Sequence, residues 1–144
     1  MLDAVGKRVL PLFFKRCQQF LQPKGKMVLQ AITITDQRYR QYSRNVDFIQ
    51  LHVFPGGFLP SVTVLCNTLT HHSDMVICDL LDIGRDYART LQEWRQRFEH
   101  HWPSLHRQGF DERFQRLWRF YLCYCEAGFL ARTISTVQLS AERR

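Results

Sequence analysis

The chain has 144 residues, the length of one domain, and its composition excludes a disordered polar or acidic tail. Hydrophobic residues make up 45% of it and aromatic residues 13%, which is enough for a sizeable core. The formal net charge of +7 lies entirely in residues 1–44, where nine lysines and arginines accompany two aspartates. Such a basic segment suits nucleic-acid phosphates, anionic lipid head groups or an acidic partner, and charge alone does not choose among them. We predict a single unit over residues 1–144.

The sequence carries no pattern typical of membrane insertion or secretion. Its apolar runs fall short of the roughly 20 residues that span a bilayer, and we predict no signal peptide at the N-terminus. The five cysteines are odd in number and show no C-x-x-C spacing, so we expect free thiols and a cytoplasmic location. Adjacent histidines at 71–72 and 100–101 do not share a helix face, which disfavours a metal site.

In chain order, the first predicted elements are a helix, a turn and a strand. Apolar residues from Val9 to Leu21 recur at helical spacing, and Gln22-Pro-Lys-Gly-Lys26 predicts a turn. The nearly continuous apolar run Met27–Ile34 is typical of a strand buried on both faces, as in a parallel sheet. Residues 36–54 are predicted as irregular helix, which ends where Phe54-Pro-Gly-Gly-Phe-Leu-Pro60 breaks the chain.

Two further strands are predicted in the second half of the chain. Ser61 is a predicted N-cap of a helix that reaches about Leu69, and Met75–Ile83 follows as a strand. The final stretch Thr133–Ser140 is the weakest strand prediction, because only three of its residues are aliphatic. The mixture of helices and strands predicts an α/β fold.

Two amphipathic helices are predicted between these last strands, over residues 86–102 and 111–130. Pro103 and Gly109 are predicted to separate them. Aromatic side chains recur along one stripe of each helix, which predicts core packing between them. The members of the stripes are Trp94, Phe98, Trp102, Phe114, Trp118 and Tyr121.

The predicted sheet is incomplete. An apolar strand such as Met27–Ile34 is normally flanked on both sides, and three strands cover one side at best. The other edge would keep unpaired backbone groups, which favours association. We therefore expect the C-terminal portion of a larger sheet, whose edge is completed by a preceding segment, by a partner or by self-association.

Two local motifs remain open. The Gly-Gly of the 54–60 segment lacks the spacing of a phosphate loop and is either a rigid turn or the wall of a binding site. Arg38-Tyr-Arg-Gln-Tyr-Ser-Arg44 interleaves arginines with rings that bases stack on. No recognised nucleic-acid module surrounds it, so nucleic-acid binding is not favoured.

Six stretches occur together in the order and spacing of one enzyme family. They are Leu29-Gln-Ala-Ile-Thr-Ile34, Val46-Asp-Phe-Ile-Gln50, Val53-Phe-Pro-Gly-Gly-Phe-Leu-Pro-Ser61, Gly84-Arg-Asp-Tyr-Ala-Arg-Thr-Leu-Gln-Glu-Trp94, Gly109-Phe-Asp-Glu-Arg-Phe114 and Tyr121-Leu-Cys-Tyr-Cys-Glu-Ala-Gly-Phe129. On these residues the chain resembles the C-terminal part of cyclopropane-fatty-acyl-phospholipid synthases and mycolic acid cyclopropane synthases. These are S-adenosylmethionine-dependent methyltransferases of lipid biosynthesis.

The resemblance implies a Rossmann-like, class I methyltransferase sheet of seven strands, of which this chain holds the last three with their flanking helices. In the family, S-adenosylmethionine lies at the carboxyl ends of the early strands, beside a Gly-rich loop. No stretch of the present sequence matches that loop. We therefore expect the cofactor-binding half to be absent and this chain alone to be inactive.

The resemblance also implies a reaction and a set of site residues. The family transfers a methyl group to the double bond of an unsaturated phospholipid acyl chain, and a bound bicarbonate is taken as the base that closes the ring. Tyr87 matches the family tyrosine at this ion, and Ile32 matches a position that contributes backbone. Asp3 stands where the family has Glu, and Gln30 where several members have His.

The loop before the Ser61 helix is expected near the lipid entrance, so Phe54, Pro55, Gly56 and Gly57 are candidate substrate-binding residues. The basic residues at the front of the chain are expected to hold an anionic membrane surface, so that the protein is peripheral to the membrane. The alternative is a non-catalytic, truncated relative that acts as a membrane-surface or protein-interaction module.

Overall fold

A computed structural model of the chain describes residues 6–144, which form six helices and three strands. The helices are α1 (Leu10–Phe20), α2 (Asp36–Tyr42), α3 (Phe48–His52), α4 (Val62–His72), α5 (Gly84–Arg107) and α6 (Glu112–Leu130). The strands are β1 (Lys26–Ile34), β2 (Met75–Asp82) and β3 (Ile134–Arg143). The predicted α/β class is confirmed.

The three strands form one sheet in the order β1-β3-β2, and both pairings are antiparallel. The strand predicted as weakest is thus the central one, and it runs three residues beyond the predicted Ser140. Its side chains alternate: Val137 and Leu139 are buried on one face, while Gln138 lies on the other opposite Gln30. Averaging over both faces hides this alternation, which is why the stretch looked weakly apolar.

The prediction that β1 is buried on both faces, as in a parallel sheet, is wrong for these residues. β1 pairs antiparallel with β3, and its first half alternates between exposed and half-buried side chains, with Val28 73% exposed. The physical reason is its position, since no other strand within residues 6–144 pairs with its outer edge. The expectation of an incomplete sheet at this strand is confirmed.

At the other helix boundaries, most sequence signals predict the structure that is observed. Pro11 lies in the first turn of α1, where a missing N–H costs nothing. The Ser61 hydroxyl accepts a hydrogen bond from the backbone N–H of Val64 at 3.3 Å, as expected of an N-cap, and α4 continues past Leu69 to His72. The predicted irregular helix of residues 36–54 is two short helices, α2 and α3.

The predicted break at Pro103 is wrong, because α5 runs through it to Arg107. A proline inside a helix removes one N–H and leaves the carbonyl of Glu99 without its helical partner. Packing against α6 offsets this cost, since the ring of Phe98 contacts that of Phe114 with centroids 6.3 Å apart. The hairpin turns instead at Gly109, whose φ of 100° favours glycine.

The two faces of the sheet have separate cores. Side chains from α1 and α4 fill one face, which we term the packed face; its buried members are Leu10, Phe14, Ala31, Leu65, Leu69, Met75, Val137, Leu139 and Ala141. The opposite face, which we term the cavity face, lies against α5 and α6. Its buried members are Ala88, Leu91, Leu122 and Phe129, with Ile32 and Tyr87 packed against them. Ala31 and Ile32 lie on different faces because neighbouring strand residues alternate.

Among residues 6–144, none of the helices combines the length and the apolar character needed to cross a membrane.

Candidate functional site

A cavity of about 720 Å³ opens on the cavity face of the sheet. Its wall is built by the second half of β1, by α2 and α3, by the loop before α4, and by α5 and α6. The lining is mostly aliphatic and aromatic, with a few polar groups. This size and this chemistry are typical of sites for small apolar or amphiphilic ligands.

Two of the predicted catalytic residues line this cavity together. Ile32 reaches it from β1 and Tyr87 from the first turn of α5. The Tyr87 ring is held between aromatic neighbours, with its centroid 5.0 Å from that of Phe129 and 6.3 Å from that of Trp94. Tyr87 and Ile32 are distant in sequence, and their proximity follows from the way α5 crosses the sheet.

The start of α5 is fixed by three residues that precede or face Tyr87. The carboxylate of Asp82 accepts hydrogen bonds from the Gly84 N–H at 2.9 Å and from the Ser135 hydroxyl at 2.5 Å. The hydrogen bond from Ser135 lowers the pKa of Asp82, and nearby Arg132 and Arg85 act in the same direction. A Cβ atom on Gly84 would lie 2.1 Å from the Ser135 oxygen, so the approach of α5 to β3 requires glycine.

Of the other two predicted catalytic residues, the one that the structure describes does not join this group. Gln30 lies two residues before Ile32 on the same face of β1, but it is exposed and does not border the cavity. Its carboxamide oxygen accepts a hydrogen bond from Gln138 at 3.1 Å. Asp3 lies outside the described residues.

The predicted substrate-binding loop contributes half of its members to the cavity. Phe54 and Gly57 line it, whereas Pro55 and Gly56 do not. Pro55 and Gly56 instead form the corner of a β-turn, which the N–H of Gly57 closes by donating to the Phe54 carbonyl at 2.9 Å. The φ of 81° at Gly56 is the value that a type II turn demands at this place.

Side chains from α2 and α3 hold this loop in place. The amide nitrogen of Gln50 donates to the Gly57 carbonyl at 2.8 Å, and the Tyr42 hydroxyl accepts from the Leu59 N–H at 3.2 Å. The oxygen of the same Gln50 amide accepts from the Asp47 N–H, while the Asp47 carboxylate accepts from the Gln50 N–H. Sequence reasoning missed both anchors, although the Asp-x-x-Gln spacing is that of a capping box and predicts this pairing.

Further cavity residues were missed or predicted differently. Trp94, predicted as core, is 46% exposed and borders the cavity. Tyr124 and Cys125 border it from α6. Burial raises the pKa of the Cys125 thiol to about 12, and burial likewise raises the pKa of Tyr124; Asp47 adds to both shifts. Both side chains are therefore neutral near pH 7.

One face of α2 and the turn after it supply polar groups to the cavity. Arg38, Gln41 and Tyr42 lie on the helix, and Asn45 lies in the turn that follows it. Among the described residues that line the cavity, Arg38 is the one cation and Asp47 the one carboxylate.

A second, polar cavity of about 550 Å³ lies at the carboxyl ends of β1 and β2. It shares Ile34, Phe129 and Ile134 with the first cavity. The strands run here into Thr35-Asp36 and Ile83-Gly84, with no Gly-rich loop at either place. The described residues therefore do not form the cofactor cradle that the family resemblance implies.

This chain has the fold of about half of each of two larger solved structures. Its backbone is similar to that of the mycolic acid cyclopropane synthase CmaA1 complexed with SAH and CTAB, with a TM-score of 0.88 and 20% identity. It is similar to the cyclopropane synthase MmaA2 of Mycobacterium tuberculosis with a TM-score of 0.87 and 20% identity. In both cases 99% of this chain matches 52% of the other. At this identity the likeness establishes the fold alone.

Sequence similarity supplies the family. Residues 1–139 match the family Mycolic acid cyclopropane synthetase, and the chain belongs to it. It is 39% identical to the tuberculostearic acid methyltransferase UfaA1 of Mycobacterium tuberculosis over 129 residues, which are 90% of this chain and 30% of that protein. It is 32% identical to the cyclopropane-fatty-acyl-phospholipid synthase of Escherichia coli K12 over 144 residues, 99% of this chain and 36% of that protein. The chain thus spans about a third of the length of these relatives.

Proposed function

We propose that this chain is the acyl-binding part of an enzyme that transfers a methyl or methylene group from S-adenosylmethionine to the double bond of an unsaturated phospholipid acyl chain. The observation that carries the proposal is the apolar cavity with Tyr87 at its wall. Each methylene group that leaves water for such a cavity contributes about 0.8 kcal/mol. An alkene is a weak nucleophile, so the main contribution of this part to the reaction is to hold the acyl chain in a fixed position.

Within this proposal, Tyr87 provides a hydroxyl donor close to the reacting double bond. A carbocation formed on the acyl chain must lose a proton before water reaches it, and the apolar lining excludes water. A bicarbonate base held by Tyr87 and the backbone at Ile32 is part of the proposal. Gln30 and Asp3 are its weaker members, because Gln30 does not border the cavity and Asp3 lies outside residues 6–144.

The cofactor itself is proposed to bind elsewhere than on these residues. No Gly-rich loop follows β1 or β2, so residues 6–144 have no assigned role in holding S-adenosylmethionine. The proposal is that the 144 residues alone are inactive. The outer edge of β1, which pairs with no strand within residues 6–144, is where we expect a further strand, from a preceding segment, a partner or a second copy, to complete the sheet.

The mouth of the cavity is also suited to an anionic membrane surface. Two of its lining residues, Phe54 and Tyr124, are large and exposed. Three more exposed apolar residues adjoin lining residues: Val46 and Leu51 in sequence, and Phe120 by a ring contact with Tyr124. The ring of Phe48 joins α3 to α6 here, since its centroid is 4.7 Å from that of Phe120. Arg40 of neighbouring α2 and Arg44 in the turn after it are exposed, and each cation near an anionic bilayer contributes roughly 1 kcal/mol. This surface is also what favours the second candidate function, a non-catalytic membrane-surface module.

Two assays on the 144-residue chain test the proposal. With S-adenosylmethionine and vesicles of unsaturated phosphatidylglycerol, we expect no methylated lipid, and product formation would overturn the inactivity of this chain. With monomeric oleoyl lysophospholipid, we expect saturable binding that changes the fluorescence of Trp94, and a Trp94→Phe variant that still binds but loses this signal. Absence of acyl binding would overturn the acyl-binding site.

The membrane surface is tested separately by flotation. We expect the chain to float with anionic vesicles and less with neutral vesicles, and to lose flotation on Leu51→Ser. A chain that binds monomeric lipid but ignores anionic vesicles would remove the membrane surface from the proposal and leave the acyl site intact.

A further inference from the structure

The cavity has an electrostatic asymmetry that its apolar lining alone does not explain. Arg38 lines it from α2, whereas Asp47 lines it from the N-terminus of α3. The Asp47 carboxylate is already engaged, because its Oδ1 accepts from the Gln50 N–H at 2.8 Å. Its charge raises the pKa of Tyr124 and Cys125, which places it towards α6. The cavity is therefore positive at its α2 wall and negative at its α3–α6 wall.

Arg38 has no anionic partner within residues 6–144, in contrast to several arginines of the helical hairpin. Arg95 pairs with Glu126 at 3.1 Å and Arg119 with Glu99 at 3.2 Å. Within residues 6–144, the Arg38 guanidinium makes neither an ion pair nor a hydrogen bond with another side chain. Its five donors are thus available to a ligand in the cavity.

The position of Arg38 is set by the other residues of α2. The Tyr39 ring packs edge-on against Phe58, with centroids 6.1 Å apart, and the Tyr42 hydroxyl accepts from the Leu59 N–H. These two contacts tie α2 to the loop that forms the neighbouring wall. Arg38 and Gln41 of this helix line the cavity and are also exposed to solvent, so the guanidinium lies at the rim of the cavity.

We propose that Arg38 binds the phosphate of a glycerophospholipid whose acyl chain occupies the cavity. This inference rests on the proposed acyl-binding function and names the head group that the same site selects. A planar guanidinium matches two phosphate oxygens with parallel hydrogen bonds, and Gln41 adds a neutral donor on the same helix face. Binding at the positive wall directs the acyl chain across Ile32 towards Tyr87.

Calorimetric titration of the 144-residue chain tests this assignment. The probe is dihexanoyl phosphatidylglycerol below its micelle concentration, and the variants are Arg38→Gln and Arg40→Gln. Arg40 is the matched control, since it lies on α2 and is exposed, as Arg38 is, but does not line the cavity. Loss of a charge-assisted hydrogen bond predicts about 10- to 100-fold weaker binding for Arg38→Gln. We expect less than about 2-fold for Arg40→Gln, as for a single screened surface charge.

Neutral and carboxylate amphiphiles complete the experiment. Octyl glucoside is expected to bind all three proteins equally, and decanoate to bind more weakly than the phospholipid. Equal losses for Arg38→Gln and Arg40→Gln would overturn the inference. So would a loss of octyl glucoside binding in Arg38→Gln alone, or decanoate that matches the phospholipid in affinity and in its dependence on Arg38. If no amphiphile binds the wild-type chain, it is the acyl-binding function itself that fails.

Discussion

The two faces of one three-stranded sheet serve different ends in this molecule. The packed face is closed by aliphatic side chains from α1 and α4, and Phe14, Leu65 and Leu139 in it are completely shielded from solvent. The cavity face has a smaller buried core, and the aromatic rings of α5 and α6 contact one another mostly edge to face or tilted. A cavity lies between these helices and the sheet. Buried aliphatic contacts are therefore concentrated on one face, and the proposed binding is on the other.

The first prediction has the largest expected effect and tests whether the two faces contribute differently to stability. Leu139→Ala removes a completely buried side chain at the centre of the packed face, and we expect it to lower the free energy of unfolding by about 2–5 kcal/mol. Trp94→Ala on the cavity face removes a larger side chain that is half exposed and borders empty space. We expect it to cost less than about 1.5 kcal/mol, because little buried contact is lost. Urea denaturation followed by circular dichroism measures both.

The control for this pair is Val28→Ala on the exposed first half of β1, which we expect to change stability by less than about 0.5 kcal/mol. If Trp94→Ala destabilises the chain as much as Leu139→Ala, the division between a stabilising face and a binding face is wrong.

The second prediction concerns the junction between the two faces. Gly84→Ala places a Cβ atom 2.1 Å from the Ser135 hydroxyl oxygen, and we expect it to destabilise the chain by about 1–3 kcal/mol. Ser135→Ala removes that oxygen, so the double variant should recover part of the loss. Thermal unfolding of the two single variants and the double variant gives the coupling free energy. Additive losses would mean that the clash is relieved by movement of α5 rather than borne by Ser135.

The third prediction concerns the hydrogen bond from Gln50 that holds the loop at the cavity wall. Gln50→Glu replaces the amide donor beside the Gly57 carbonyl with a carboxylate, and we expect a loss of about 1 kcal/mol. The effect should be local, so hydrogen exchange at Gly57 and Leu59 should accelerate more than exchange in β3. Gln41→Glu is the matched control, because Gln41 lines the same cavity without a side-chain hydrogen bond in the described part of the chain. Equal acceleration in both variants would contradict an anchoring role for Gln50.

The extent to which sequence reasoning succeeds follows the same division. Elements of the packed face carry local signals: the Ser61 cap and the apolar spacing from Val9 to Leu21 predict helices that form. The central position of β3 in the sheet was not predictable, since burial of Leu139 depends on partners more than a hundred residues away in β1. The helix break predicted at Pro103 is wrong for a similar reason, because the packing of α5 on α6 outweighs the local cost of a proline inside a helix.

The candidate site depended on non-local information throughout. Tyr87 and Ile32 were indicated by the family resemblance, since no spacing rule brings them together. The turn at Pro55 and Gly56 was predictable from the residues, whereas the place of Arg38 at the rim of the cavity was not. That place depends on contacts of Tyr39 and Tyr42 with the loop, which exist only in the folded chain.

The smallest expected effect is a pH dependence at the start of α5. The hydrogen bond from Ser135 holds the pKa of Asp82 below its usual value of 3.8, so the folded state favours the ionised carboxylate. This stabilisation is complete above the unfolded pKa and is lost as the pH falls from about 5 through the lower folded pKa. Wild type should therefore be more stable than Asp82→Asn at pH 6, and the difference should shrink progressively towards pH 3 in urea titrations. Asp79→Asn on the same strand, where no side-chain hydrogen bond occurs within residues 6–144, is the matched control.

The difference in stability between wild type and Asp82→Asn could instead stay constant across this pH range. That result would mean that the carboxylate charge does not hold the first turn of α5, and that Gly84 and the Ser135 hydroxyl suffice to place Tyr87.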